Sequence, residues 1–123
     1  MFIAGVGLIG SSLIEMVKNI YSINIYGLIN SKKMIIEPKD IDYENWKVDL
    51  NKSFDADFDF FIDKASETPH SIFVDLTSSK KISMRTSEIL ARGISVVTAN
   101  KITNSLNQEY YDEIRDSLST GGS

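Results

Sequence analysis

Three glycines recur at fixed spacing near the start of the chain, in Gly5-Val6-Gly7-Leu8-Ile9-Gly10. The chemistry this spacing suits is the holding of a diphosphate. The first glycine permits a tight turn, the second lets the backbone approach the anion, and the third lets a helix pack on a strand. A helix beginning there turns free amides and a positive dipole end toward the phosphates. The other common phosphate loop requires Gly-Lys-Ser/Thr, and Gly10-Ser11-Ser12 has no lysine, so phosphoryl transfer is disfavoured. A glycine turn serving packing alone is the plain alternative, and the flanking elements decide between the two.

Those elements fit. Phe2-Ile3-Ala4 reads as a short buried strand. Ile9, Leu13, Val17 and Ile20 then recur at helical spacing, widened by Ile14 and Met16. Ile23 to Ile29 reads as a second buried strand, closed by the polar run Asn30-Ser31-Lys32-Lys33. Residues 34–69 are less legible. A short helix is expected over Asp42 to Leu50, with Tyr43, Trp46 and Leu50 on one side. A second is expected over Asp57 to Ala65, with Phe58, Phe61, Ile62 and Ala65 inward.

Ile72 to Leu76 is the next apolar strand and ends in Thr77-Ser78-Ser79. Ser79 is placed to cap a helix whose Ile82, Thr86, Ile89 and Leu90 share a face, with Gly93 at its C-terminal end. Ile94 to Val97 forms a further strand, closing at Thr98-Ala99-Asn100-Lys101. Ser105-Leu106-Asn107-Gln108 matches a capping box before a last helix reaching about Leu118. The alternation predicts a single α/β domain over residues 1–118, a Rossmann-type doubly wound, mostly parallel sheet with helices on both faces. Residues 119–123, small and glycine-rich, are expected to be a flexible tail or linker.

The end of the second strand bears on the choice of dinucleotide. Readers of NAD place a carboxylate about 20 residues beyond the glycines, to hold the ribose 2′-hydroxyl. Asn30, Ser31 and Lys32 stand there instead, with Lys33 beside them, and no acid occurs before Glu37. A hydroxyl and a lysine attract a 2′-phosphate where an acid would repel it. NADP is therefore favoured, with NAD as the alternative.

Composition bounds the other classes. The 123 residues fit one domain, and 42% are apolar, enough for an ordinary core. There is no cysteine, which removes disulfides and thiolate metal sites and suits a cytoplasmic location. The net charge is −4 with both signs interspersed, so no basic face for nucleic acid is present. The apolar start lacks a basic leader and runs into Glu15, and no apolar stretch approaches the roughly 20 residues of a membrane span. His70, the single histidine, reads as a loop residue, and the alternating Asp55, Asp57 and Asp59 read as a solvated acidic edge. A calcium loop would need a glycine where Phe60 stands and a glutamate where Ser66 stands. No metal site is expected. Phe58, Phe60 and Phe61 read as core filling.

Five segments together resemble the cofactor domain of homoserine dehydrogenase. They are Phe2-Ile3-Ala4-Gly5-Val6-Gly7, Gly27-Leu28-Ile29-Asn30-Ser31-Lys32, Glu44-Asn45-Trp46, Val74-Asp75-Leu76-Thr77-Ser78-Ser79 and Val97-Thr98-Ala99-Asn100-Lys101. The Asn-Ser-Lys and Glu-Asn-Trp segments look most like the form fused to aspartokinase. The resemblance implies that Gly5, Val6, Gly7, Leu8, Ile9 and Gly10 line the pyrophosphate. It implies that Ile29, Asn30, Ser31 and Lys32 surround the adenosine ribose and its phosphate. Thr77, Ser78 and Ser79 would lie toward the nicotinamide.

By the same resemblance, Lys101 would assist proton transfer at the alcohol or aldehyde oxygen, and Asn100 would shape its loop beside the cofactor. A lysine at a strand's carboxyl end can stabilise oxygen charge while the cofactor moves the hydride. The parent would interconvert L-aspartate 4-semialdehyde and L-homoserine as a homo-oligomer. The family's substrate-binding domain would follow residue 123, and the isolated fragment is expected to bind cofactor with little turnover. Another amino-acid-pathway dehydrogenase with the same cofactor half, or a non-catalytic nucleotide-binding module, are the alternatives.

Overall fold

A six-stranded sheet organises the described part of the chain, residues 1–20 and 22–99 of a computed structural model. In chain order the elements are β1 (Phe2–Ala4), α1 (Leu8–Val17), β2 (Gly27–Ile29), β3 (Lys33–Ile36), α2 (Trp46–Asn51) and β4 (Phe54–Asp55). There follow α3 (Phe58–Glu67), β5 (Ile72–Asp75), α4 (Lys80–Ser83), α5 (Thr86–Ala91) and β6 (Ser95–Thr98). The strand order is β4-β3-β2-β1-β5-β6. β1, β2, β5 and β6 run parallel, whereas β3 is antiparallel to both its neighbours. The chain therefore winds from β1 toward β2 first and returns to β1's other side at β5.

Successive strand residues face opposite sides of a sheet, and here that alternation separates two cores. Phe2, Ala4, Ile29, Met34, Phe73 and Val96 meet Phe61, Ile62 and Ala65 of α3 and Ile89 of α5. Ile3, Leu28, Ile35 and Val74 meet Ile14 and Val17 of α1 and Trp46 and Leu50 of α2. Both faces of the sheet are covered, as the doubly wound arrangement requires. Gly27 keeps the first core closed, because an added Cβ would lie 2.5 Å from the Phe2 ring and 2.8 Å from the Phe61 ring.

Several elements differ from expectation, each for a local reason. The second strand occupies only Gly27–Ile29, and Asn30-Ser31-Lys32 turns the chain directly into β3. The Asn30 carboxamide oxygen makes that turn by accepting from the Lys32 and Lys33 amides at 2.8 and 2.6 Å. The apolar stripe of α1 is displaced. Gly10, Ile14 and Val17 are its buried residues, while Ile9 is 62% exposed and Ile20 lies beyond the helix end, exposed. Gly10 takes the inward place because the first turn of α1 presses on the Gly5 carbonyl.

The helix expected from Asp42 begins at Trp46. Asp42 instead organises the preceding turn, accepting from the Glu44 amide at 3.0 Å and the Asn45 side chain at 2.9 Å. The helix after Ser79 is interrupted between α4 and α5. Ser83 donates its hydroxyl to the Lys80 carbonyl and Thr86 to the Ser83 carbonyl, at 3.0 and 2.9 Å. Such hydroxyl bonds compete with the helical ladder. Phe61 fills the core as expected, but Phe58 is only partly buried and Phe60 is 42% exposed.

Other expectations hold. Ser79 caps α4 as expected, accepting from the Ile82 amide at 3.2 Å; a cap the sequence reading did not include is Asp57 on α3, accepting from the Phe60 amide at 3.1 Å. Gly93 ends α5 with φ of +82°. His70 sits in a loop, also with positive φ. Among the described residues no helix is long and apolar enough to cross a membrane. The expected last helix over 105–118 and the tail over 119–123 lie outside the described residues.

Candidate dinucleotide-binding site

The glycine turn stands where β1 hands over to α1. Gly5 has φ of +90°, a conformation open to glycine at little cost. Its neighbours make the position tighter still, since an added Cβ would sit 2.9 Å from the Leu76 carbonyl carbon and 3.0 Å from the Thr77 nitrogen. The main chains leaving β1 and β5 thus touch at Gly5. At Gly10 an added Cβ would fall 2.5 Å from the Gly5 carbonyl oxygen. Gly7 differs from both, because a Cβ there would meet no protein atom within 4 Å. No side chain caps α1 at Gly7, so its first amides keep their donors for an outside acceptor.

A cavity of about 790 Å³ opens at this point, above the carboxyl ends of β1, β2 and β5. Its floor is Ala4, Gly5, Val6 and Gly7. One wall is Ile29, Asn30 and Ser31, and another is Leu76, Thr77, Ser78 and Ser79. Ala56 and Phe58 before and within α3 close a third side, joined by Lys81 and Ile82 of α4 and by Arg85. Open α/β sheets bind ligands in this crevice, where the strand order reverses.

The structure brings together nine of the expected residues: Gly5, Val6, Gly7, Ile29, Asn30, Ser31, Thr77, Ser78 and Ser79. Leu8 and Ile9 begin α1 outside the cavity wall, with side chains 87% and 62% exposed. Gly10 is buried behind the turn, where it supports Gly5. Lys32 is exposed at the turn after β2 and does not line the wall. Asn100 and Lys101 lie outside the described residues.

Asp75 went unassigned in the sequence and proves to order one wall. Its carboxylate, 1% exposed at the end of β5, accepts from the Thr77 amide at 2.9 Å and the Thr77 hydroxyl at 2.6 Å. The Thr77 hydroxyl oxygen in turn accepts from the Ser79 amide at 3.2 Å, and Ser79 caps α4. A polar chain therefore fixes the loop from strand to helix. The available signal was an Asp two residues before a Thr at a strand end, a pattern that favours such side-chain turns.

Phe58 and Arg85 were also missed, since they come from elements distant in sequence. The Arg85 guanidinium lies 5.1 Å from the Phe58 ring centroid and pairs with Asp59 at 2.7 Å and Glu88 at 2.8 Å. The bond to Glu88, more than that to Asp59, raises the Arg85 pKa further. The acidic run is accounted for in the same way: Asp55 pairs with Lys33 at 2.8 Å, Asp57 caps α3, and Asp59 holds Arg85. Among the described residues no group of His, Asp and Glu could hold a metal ion.

The family model for the homoserine dehydrogenase NAD-binding domain matches residues 5–123, and so begins on Gly5. The chain belongs to this family. The bifunctional aspartokinase/homoserine dehydrogenase of Haemophilus influenzae is 34% identical over 94% of the chain. That of Buchnera aphidicola is 34% identical over 99%. The chain spans 16% of the length of either curated relative. Among solved structures, homoserine dehydrogenase from Thermoplasma acidophilum superposes with a TM-score of 0.62 at 20% identity, covering 98% of this chain and 40% of that one. A Candida auris protein of unknown function gives 0.68 at 23% identity, covering 94% and 34%. These two likenesses establish the fold. A homoserine dehydrogenase NAD-binding domain needs a place for a nicotinamide dinucleotide, and the residues here suit one: an open backbone at Gly7, uncapped amides of α1 and a crevice free of blocking side chains.

Proposed function

We propose that the chain is the cofactor-binding part of an NADP-dependent homoserine dehydrogenase, which interconverts L-aspartate 4-semialdehyde and L-homoserine. The observation that carries this reading is the open Gly7 backbone on the floor of the cavity, directly before the uncapped start of α1. The diphosphate would rest on the amides of this turn. The bound cofactor supplies hydride transfer. The chain's own residues bind and orient it, with Asp75 holding the Thr77-Ser79 wall in place.

NADP is preferred because no carboxylate lines the cavity among the described residues. The Asn30 carboxamide oxygen at the end of β2 is already used by two backbone amides. A ribose 2′-hydroxyl would find no anionic acceptor there, whereas a 2′-phosphate would meet no repulsion. Lys101 is proposed to serve the oxygen that gains or loses the proton, and residues beyond this chain to bind the amino-acid substrate. By itself the chain should bind dinucleotide without turning over homoserine.

Fluorescence titration of the 123-residue chain with NADPH and NADH tests the reading. The expected result is saturable binding of both, tighter for NADPH. Absence of binding at millimolar concentrations of either would leave a module with no cofactor role. In the full-length enzyme, Lys101→Ala should lower kcat by at least tenfold with a smaller effect on cofactor affinity; unchanged turnover would remove Lys101 from the mechanism.

A further inference from the structure

We propose that Lys81, on the α4 side of the cavity, is the cation that selects the 2′-phosphate of the dinucleotide. The inference rests on the dinucleotide reading above and identifies the residue that carries its specificity. The other cations near the cavity are engaged or off its wall. Lys33 is engaged by Asp55 at 2.8 Å. Arg85 reaches the cavity but is neutralised by Asp59 and Glu88 and laid on the Phe58 ring. Lys32 is exposed at the turn after β2 and is not part of the cavity wall.

Lys81 lines the cavity, and among the described residues no carboxylate is paired with it. No acid lines the cavity among the described residues, and the other cation of the wall, Arg85, is held by Asp59 and Glu88, so Lys81 is the lining charge left to meet an anion. A lysine ammonium is a mobile point charge on a long stem and needs no fixed approach geometry to meet a phosphate monoester. Its neighbour Lys80 lies off the cavity wall and shares only the general field.

The test separates selection from general attraction by using two small probes on the 123-residue chain, adenosine 2′,5′-bisphosphate and adenosine 5′-monophosphate, in low salt. Lys81→Gln should weaken the bisphosphate about tenfold and change the monophosphate less than about twofold. Lys81→Arg should retain most of the preference, and Lys80→Gln should resemble the parent. Added salt should erode the Lys81 effect, because the charge is exposed. Equal losses for both probes, a preference that survives in Lys81→Gln, or a loss confined to Lys32→Gln would each overturn the assignment. Failure of the parent chain to bind either probe at millimolar concentration would instead sink the dinucleotide reading on which it stands.

Discussion

Gly7 and Gly10, only three residues apart in sequence, should respond oppositely to the same methyl group. Gly10→Ala drives a Cβ into the Gly5 carbonyl oxygen at 2.5 Å, and backbone cannot swing aside as a side chain can. Overpacking of this kind costs about 1–3 kcal/mol, so urea unfolding should show a clear loss of stability and weaker NADPH binding with it. Gly7→Ala meets no protein atom. It should leave stability within about 1 kcal/mol of the parent, while NADPH affinity falls at least tenfold. Equal affinities for Gly7→Ala and parent would show that the turn does not approach the ligand.

Asp42 supplies the pH dependence at this scale. Its pKa is lowered from 3.8, first by the Asn45 side-chain bond and then by the Glu44 amide. A carboxylate depressed by folding stabilises the native state fully above its unfolded pKa, and the contribution is lost as pH falls through the lower value. Asp42→Ala should therefore be less stable than the parent at neutral pH, with the gap starting to narrow only as pH falls to about 3.8 and closing below the lowered value. A gap that does not change with pH would show that the carboxylate charge is irrelevant to the turn.

At the scale of elements, α3 depends on its start. Asp57 binds the Phe60 amide, and removing an N-cap of this type costs about 1 kcal/mol. Asp57→Ala should lower the unfolding free energy by that amount, seen as a lower urea midpoint with an unchanged m value. It should also loosen Phe58, the first residue of α3, and so affect the cavity rim. The elements most legible in the sequence were apolar runs with a chemical boundary: β1 before the glycines, β5 before the hydroxyls, and the helix before Gly93, while α3 was read from its apolar spacing alone. The antiparallel β3 and the two-residue β4 were not legible. Their turn at Asn30-Ser31-Lys32 contains no glycine, and an asparagine side chain does the work that a glycine conformation usually signals. The α4–α5 break was equally silent, because Ser83 and Thr86 fit a helical period and still divert carbonyls to their own hydroxyls. The site divided along the same line. Its floor and two walls were readable as motifs at strand ends. Phe58, Lys81 and Arg85 became neighbours only through the tertiary packing of α3, α4 and α5 on one face.

For the molecule as a whole, the cavity gathers backbone from residues near 5, 30, 57, 77 and 82, so any ligand in it joins segments far apart along the chain. Binding should then be linked to global unfolding. NADPH at a hundred times its dissociation constant should add about 2.7 kcal/mol to stability, visible as a rise of several degrees in the melting temperature. A melting temperature indifferent to saturating NADPH would mean that the ligand binds elsewhere or also binds the unfolded chain. The contact of Gly5 with Leu76 and Thr77 has a consequence for how this site can vary. Main chain rests on main chain there, with no rotamer to adjust and no atom to trim. The groove's width at its base is consequently a fixed dimension of the scaffold. Tuning toward a bulkier or more highly charged cofactor has to occur at the rims, where the side chains of Ser31 and Lys81 can be exchanged without disturbing the foundation.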